Sequence, residues 1–509
     1  MLRSKKFAVV ISYLNLFVSL ITTVFFIPFL LKKVGDDYGV FSFSESIVSW
    51  LTILSTTFAS CYVRFATIEE KNTGRKPTRT NTIFLLLLFC VSLFALFSGL
   101  IILALFMSGV LSLPSFSDSE THLFYWVFFL AIIHSSTEIA ISFFSLYTTY
   151  ERYFVVVRGV LLINAILYPS LSIIALLNGG GMLIVIVVMF ATKILLNLLV
   201  VLFALIKLHV RFEKIKLTEC KPLITEIILF SLFILVETIV ETCNISLDKI
   251  FLGAMCGAHL VAVYQLGMTY TTYINSISCA MTNNFIPQIH EYAQNGDVGA
   301  INSLFTKIST FQLLILTMVV GGYLTCGYEF TLIWVGKENI EVYFIAATLM
   351  LAFLFDYSTA ISIEYQRSVN KHKFRTVVQL ISLLFNFGIT GSLLVFFKNI
   401  NPIVSCLVGT VFSELVFKTI VLSVYNTVKL KLSYRVIIQR FLILLSIAIF
   451  AFLFSQGMLN VMFSSLVDNA FYSFLVKGAF FVIVYIPSAV IAAKYLFKID
   501  ILKVIFKSK

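Results

Sequence analysis

Glu237, Glu241, Asn244 and Asp248 follow one another at steps of 4, 3 and 4 inside an otherwise apolar run. On a helix of 3.6 residues per turn those steps stack all four side chains on one face. Two carboxylates one turn apart repel each other, and each costs about 2.5–3.5 kcal/mol at bilayer depth, so they should face water, a base or an exchangeable proton. Three more stripes share the spacing: Ser42, Glu45, Ser49, Thr52 and Thr56; Ser12, Asn15, Ser19 and Thr22; and Gln265, Thr269, Thr272, Ser276, Cys279 and Asn283. Hydroxyl stripes also serve as close packing surfaces between membrane helices, and for the 12–22 stripe both readings stand. Packing does not account for the carboxylates.

Other charges lie singly in apolar runs. His134 and Glu138, one turn apart and continued by Ser142 and Ser145, could relay a proton or be a satisfied interior pair. Lys193, with Asn197 a turn later, reads as a cavity-lining cation or as the partner of a carboxylate such as Glu138. Glu414 and Lys418 stand in the favoured i, i+4 order and should neutralise each other. Asp356 and Lys477 show no partner in the sequence. Eight cysteines lie mostly in apolar runs without metal-site or redox spacing, so no metal site and no disulfide framework is expected.

The elements that carry these residues follow from composition. Of 509 residues, 60% are hydrophobic and 12% charged, with a mean hydropathy of +1.00, more apolar surface than soluble domains can bury. Spanning a bilayer takes about 20 apolar residues, and fourteen segments qualify, from 7–31 and 38–63 to 436–457 and 470–496. Arg3, Lys5 and Lys6 lead into the first run, which is too long for a signal peptide and lacks a small-residue cleavage site. With the N-terminus inside, about four fifths of the 37 Lys and Arg fall on the cytoplasmic side, which puts both termini there. The net charge of +12 is thereby explained without a nucleic-acid partner.

The expected fold is an all-α integral membrane protein of 14 transmembrane helices. Residues 1–208 would form an N-terminal six-helix bundle, 209–221 a cytoplasmic linker, and 222–427 a C-terminal six-helix bundle. Residues 428–509 would add helices 13 and 14 with a basic cytoplasmic tail. Tyr38 and Arg64 bracket the second segment at the same spacing as Tyr264 and His290 in the eighth, which suggests a parallel pseudo-repeat. The polar stripes would then line a hydrated central cavity between the two bundles, where alone polar surface is tolerated at membrane depth. No phosphate-binding loop and no room for a nucleotide domain are present, so ATP is not the direct energy source, no cofactor is expected, and no large exposed loop offers an enzyme active site.

Pro28-Phe29, Gly35-Asp36-Asp37-Tyr38-Gly39, Arg64-Phe65, Asp248-Lys249 and Tyr264 give the chain its resemblance to the Wzx-type polysaccharide flippases of the multidrug/oligosaccharidyl-lipid/polysaccharide exporter superfamily. The resemblance implies alternating access in a bacterial inner membrane and export of an undecaprenyl-diphosphate-linked oligosaccharide, in company with other polysaccharide-assembly membrane proteins. For the pyrophosphate, Arg64 and Lys193 are the first candidates, since guanidinium binds phosphate bidentately, with His290 and Lys249 as further contacts. The midspan acids outnumber the bases, which departs from the cationic cavity pictured for the family. Glu237 and Glu241 first, then Asn244, Asp248, Glu45, His134, Glu138 and Asn15, are therefore read as cavity-lining groups or coupling sites for H⁺ or Na⁺. A cation-coupled multidrug exporter of the same superfamily is the alternative.

Overall fold

A computed structural model describes residues 5–497 apart from 216, 284, 370, 398 and 463–468. Arg3 and the basic tail beyond 497, both part of the orientation argument, lie outside the described residues. Every regular element among the described residues is helical.

Contacts gather the chain into two compact units, Met1–Ala262 and Val263–Lys509. The first holds α1 (Lys5–Val34), α2 (Asp37–Leu51), α3 (Ile53–Thr73), α4 (Arg79–Met107), α5 (Asp118–Tyr150), α6 (Phe154–Leu177), α7 (Met182–Leu202) and α8 (Leu217–Cys256). The second holds most of α9 (Ala258–Asn283), then α10 (Ile286–Gln294), α11 (Val298–Val335), α12 (Glu341–Ser358), α13 (Ile361–Ser368), α14 (His372–Phe396), α15 (Pro402–Ser413), α16 (Leu422–Leu430), α17 (Tyr434–Met462) and α18 (Ala470–Ile491).

Eleven helices among the described residues are long and apolar enough to cross a membrane, or thirteen spans if each of two bent pairs counts as one. The chain is a multi-pass membrane protein. The segment expected at 258–285 forms a helix of 26 residues, α9, but its polar stripe keeps it below the apolarity of the other spans. Starts are set by side-chain caps. Ser117 and Glu120 form a reciprocal capping box at α5, and Asp297 accepts from Ala300 N at 2.8 Å to begin α11.

Two expected continuous helices are broken. The segment 38–63 is α2 and α3, bent by 47° around Thr52. Its own hydroxyls supply the reason: Ser49 Oγ donates to Ser46 O at 2.7 Å, Thr52 Oγ1 to Ser49 O at 2.9 Å, and Ser55 Oγ to Thr52 O at 3.0 Å. Successive bonds to carbonyls three residues back compete with the helical ladder and bend it. Ser44 and Ser46, off the stripe, likewise donate to Val40 O and Ser42 O, and of the stripe itself Ser49 and Thr52 are satisfied within their own helix. The segment 258–285 also does not run on to His290, which lies on the separate short helix α10.

In the first unit α8 packs on α2 and α3. Ser246 Oγ lies 3.3 Å from Ser49 Oγ, Ser231 Oγ lies 3.4 Å from Cys61 Sγ, and the α8 backbone bends by 40° near position 233. Backbones approach closely here because Gly39 faces the carbonyl of Ala258 and Gly253 faces the ring of Phe43, each with no room for a Cβ. These contacts place 217–256 with the N-terminal helices, whereas the sequence reading puts it in the second bundle. An aromatic core of buried Tyr62 with Phe84, Phe143 and Tyr150, centroids 5.3–6.2 Å apart, joins α3, α4 and α5.

In the second unit α11 is the most buried span, and α12, α17 and α18 surround it. Tyr485 of α18 donates to Leu314 O at 3.0 Å, and Gln456 of α17 to Thr325 O at 3.2 Å. The last two helices are thus built into this unit's core.

Candidate functional site

Four helices of the first unit bring six ionisable side chains together at membrane depth. From α5, Glu138 holds Lys193 of α7 at 2.9 Å between Oε2 and Nζ, and the same oxygen lies 3.4 Å from His134 Nε2. The imidazole is 6% exposed and stacks on Phe190, centroids 4.1 Å apart and planes within 6°. That ring fixes its orientation toward Glu138. From α2, Glu45 lies in the electrostatic field of Lys193, His134, Lys249 and Glu138. From α8, Lys249 is buried in the electrostatic field of Glu45 and of Asp248, which is itself 2% exposed.

The inventory is three carboxylates, two ammonium groups and one imidazole, so the cluster is near neutrality and one proton decides its sign. Several kcal/mol oppose the burial of each unpaired ion, and mutual pairing offsets that cost. Glu138 and Lys193 keep 38% and 39% of their side-chain surface exposed, so this edge of the cluster can be reached from outside the helix packing. Glu45 makes no direct ion pair among the described residues; its carboxylate has charged neighbours rather than a fixed partner. An arrangement of this kind can take up and release a proton. Each acid already has an ammonium group in contact or nearby, so a bound metal cation would meet the repulsion of Lys193 and Lys249.

The remaining candidates lie elsewhere. Asn15 on α1 is half-buried, its Oδ1 without a hydrogen-bond partner among the described residues. Arg64 is exposed on α3, its guanidinium 4.1 Å above the ring of Phe230 from α8. That cation–π contact holds the side chain along the α3–α8 seam. Glu241 is exposed on α8, and Glu237 and Asn244 are half-buried there. The i, i+4 spacing that singles out Glu237 and Glu241 does not bring them into the cluster, whereas Asp248 and Lys249 on the same helix do belong to it. His290 is exposed on α10 of the second unit.

Sequence reasoning missed one buried pair altogether. Glu329 of α11 holds Lys477 of α18 at 2.5 Å and accepts from Ser473 Oγ at 3.3 Å. The partners stand 148 positions apart and no local pattern links them. The expected Glu414–Lys418 pair forms, at 2.7 Å, where the helix between α15 and α16 widens to π geometry.

No family model and no curated protein matches the sequence. Solved structures do match the fold. A lipid II flippase, MurJ, in an inward closed conformation superimposes with a TM-score of 0.70 at 12% identity, covering 97% of this chain and 100% of its own. An outward-facing multidrug resistance MATE transporter of the MOP superfamily gives 0.58 at 12% identity over 84% of this chain and 97% of its own. A MOP-superfamily transporter from Pyrococcus furiosus gives 0.56 at 12% identity over 84% and 98%. The fold of the chain is the all-helical, multi-pass fold that these MOP-superfamily transporters share.

Proposed function

We propose that the chain is a transporter that flips an undecaprenyl-diphosphate-linked oligosaccharide, a Wzx-type substrate, between membrane leaflets by alternating access, coupled to a proton. The observation that carries the coupling is the cluster of Glu45, His134, Glu138, Lys193, Asp248 and Lys249 inside one unit. A proton bound in one access state and released in the other supplies the differential affinity that a driven switch requires. The flippase reading is supported over the multidrug exporter by extent. The flippase structure is matched along 97% of this chain, whereas the MATE structures leave a share about the size of a helix pair unmatched.

The cluster changes the roles first assigned. Lys193 is committed to Glu138, so it serves the coupling cluster before it serves a pyrophosphate, and Lys249 joins it there. Arg64, exposed and aromatic-backed, and His290 are the substrate-facing cations in this reading. Glu237, Glu241, Asn244 and Asn15 are polar lining.

Leaflet-resolved labelling of lipid-linked sugars tests the function. A deletion strain should hold its repeat units in the cytoplasmic leaflet and export them once complemented with this chain; an unchanged distribution in a strain without a second flippase overturns the reading. Complementation with Glu138→Gln or Lys193→Ala should give full-length, membrane-inserted protein with export reduced at least tenfold. Drug susceptibility that follows expression while lipid distribution stays fixed would favour the exporter.

A further inference from the structure

A cavity of the first unit, about 1130 Å³, lies apart from the charge cluster. Its walls are the end of α3, the loop 74–78, the start of α4, Tyr147 near the end of α5, the segment 208–213 after α7, and Leu223 and Glu226 at the start of α8. These are the same-side ends of five helices, so the cavity opens at one membrane surface. Its volume is that of a pocket for a whole ligand rather than for solvent.

The walls are tied together. Tyr62 donates to Asn81 Oδ1 at 2.7 Å, Asn81 Nδ2 to Arg211 O at 3.1 Å, and Thr82 and Glu213 exchange two hydrogen bonds at 3.0 and 2.9 Å. The groove is therefore a built feature and not a gap between loose loops. The charges in it are unequally engaged. Glu69 accepts from the backbone N–H of Thr78, Arg79 and Thr80 at 2.9, 3.1 and 2.7 Å, so the N-terminus of α4 is already occupied by an internal carboxylate. Glu213 accepts from Thr78 Oγ1 at 3.0 Å, and Lys76 is paired with Glu151. Arg75 and Arg211 are exposed along this groove with no carboxylate partner among the described residues. Glu226, exposed on α8, is the acid left without an assigned bond.

Arg75, Arg79 and Arg211 all line this groove, with Asn72 as a neutral neighbour. Arg79 Nε is engaged with Cys220 Sγ at 3.4 Å, which leaves the forks of Arg75 and Arg211. Two guanidinium groups on one groove match the oxygens of a phosphate ester better than a scattered positive-inside surface does. The geometry points to a binding site, at this surface of the first unit, for the phosphate-bearing head group of a membrane lipid. The head group is either the diphosphate of a polyprenyl lipid waiting to be loaded or the phosphodiester of an anionic phospholipid. The site does not depend on the proposed transport function, and its ligand test is separate from any export assay.

Native mass spectrometry of the full chain in detergent, titrated with undecaprenyl diphosphate, phosphatidylglycerol or phosphatidylcholine, tests it. Phosphatidylcholine should bind weakly, and at least one of the two anionic lipids should bind at least tenfold more tightly. Undecaprenyl diphosphate alone identifies a loading site, phosphatidylglycerol alone a membrane-lipid site, and both together the shared chemistry. Arg75→Gln with Arg211→Gln should weaken the anionic lipid about a hundredfold, tenfold for each fork lost, and leave phosphatidylcholine unchanged. Equal binding of all three lipids, or unaltered affinity in the double variant, overturns the inference. Should the double variant not purify, Arg75→Gln alone, in an exposed loop, carries the same reading at tenfold.

Discussion

Gly39→Ala tests the seam on which the first unit is built. A Cβ at this position would stand 1.9 Å from Ala258 O, 2.7 Å from its carbonyl carbon and 3.2 Å from its Cα. All three are backbone atoms, so no side-chain rotation relieves the contact. To reach even 3.0 Å, the start of α2 and the turn after α8 must separate by about 1.1 Å, a shift that a close-packed interior transmits rather than absorbs. Overpacking costs about 1–3 kcal/mol, and a backbone obstacle places this one near 3 kcal/mol. Gly159 on α6 is the control, because a Cβ there meets nothing within 4 Å. Gly159→Ala should stabilise by about 0.5–1 kcal/mol through the lower entropy of the unfolded chain and better helix propensity. A thiol-reactive dye reads both variants as the rise above the folded-state signal of exposed Cys90 and Cys279, since Cys61, Cys220, Cys243 and Cys406 are buried and become reactive on unfolding. Gly39→Ala should lower the midpoint and Gly159→Ala should not. Equal midpoints for Gly39→Ala and the unaltered chain would mean that α2 and the α8–α9 turn do not meet as described.

The second unit offers a double-mutant cycle: Glu329→Leu or Lys477→Met alone should destabilise by about 3 kcal/mol, because each leaves a buried charge unpaired, while Glu329→Leu with Lys477→Met should come back to near the unaltered midpoint. Additive losses in the double variant refute the pairing. Tyr62→Phe should cost about 1–2 kcal/mol by leaving the buried Asn81 Oδ1 without its donor, read by the same dye; an unchanged midpoint refutes the bond. Export by Glu138→Gln should lose its dependence on an imposed pH gradient, whereas Glu241→Gln, exposed on α8, should keep it.

Composition alone shows a polytopic helical protein, because an excess of apolar residues at span length has only one stable home. Position along the chain disclosed the local Glu414–Lys418 pair and left the distant meetings of polar residues open. The stripe 42–56 reads as a wet face by spacing, yet its Ser49 and Thr52 spend their hydroxyls on carbonyls of their own helix, and the result is a bend. Periodicity places a side chain on a face and says nothing about whether its donor turns inward or outward. The pairing of Lys193 with Glu138 was one of two open readings, and 55 positions of intervening chain hide it from any local rule. Lys249 reads from sequence as a further pyrophosphate contact, and only the packing of α8 on α2 brings it into the field of Glu45. The carboxylates at 237 and 241 are costly wherever they point. Cost identifies residues that need a partner and leaves the partner unnamed.

The distribution of bends and charges in the first unit bears on how a proton could move helices. Glu45 belongs to α2, which breaks from α3 by 47°, and Asp248 and Lys249 belong to α8, which is bent by 40°. Glu138, His134 and Lys193 belong to α5 and α7, which run without such a break. One half of the cluster is therefore carried on bent helices and the other on straight ones, and the electrostatic terms between them act across that division. A proton on Glu45 removes its attraction to both Lys193 and Lys249, and leaves Lys249 to be balanced by Asp248 on its own helix. A gain or loss of about 1.4 kcal/mol across the seam shifts a two-state equilibrium tenfold, which is within reach of a single such ion interaction at half-buried depth. The contact of Gly253 with the ring of Phe43 and the hydroxyl contact between Ser49 and Ser246 hold the same two bent helices together by shape and hydrogen bonding. A proton-driven switch in this protein would work against those contacts. Loosening Ser49 and Ser246 to alanine should then raise the proton sensitivity of export, while tightening the charge cluster should lower it.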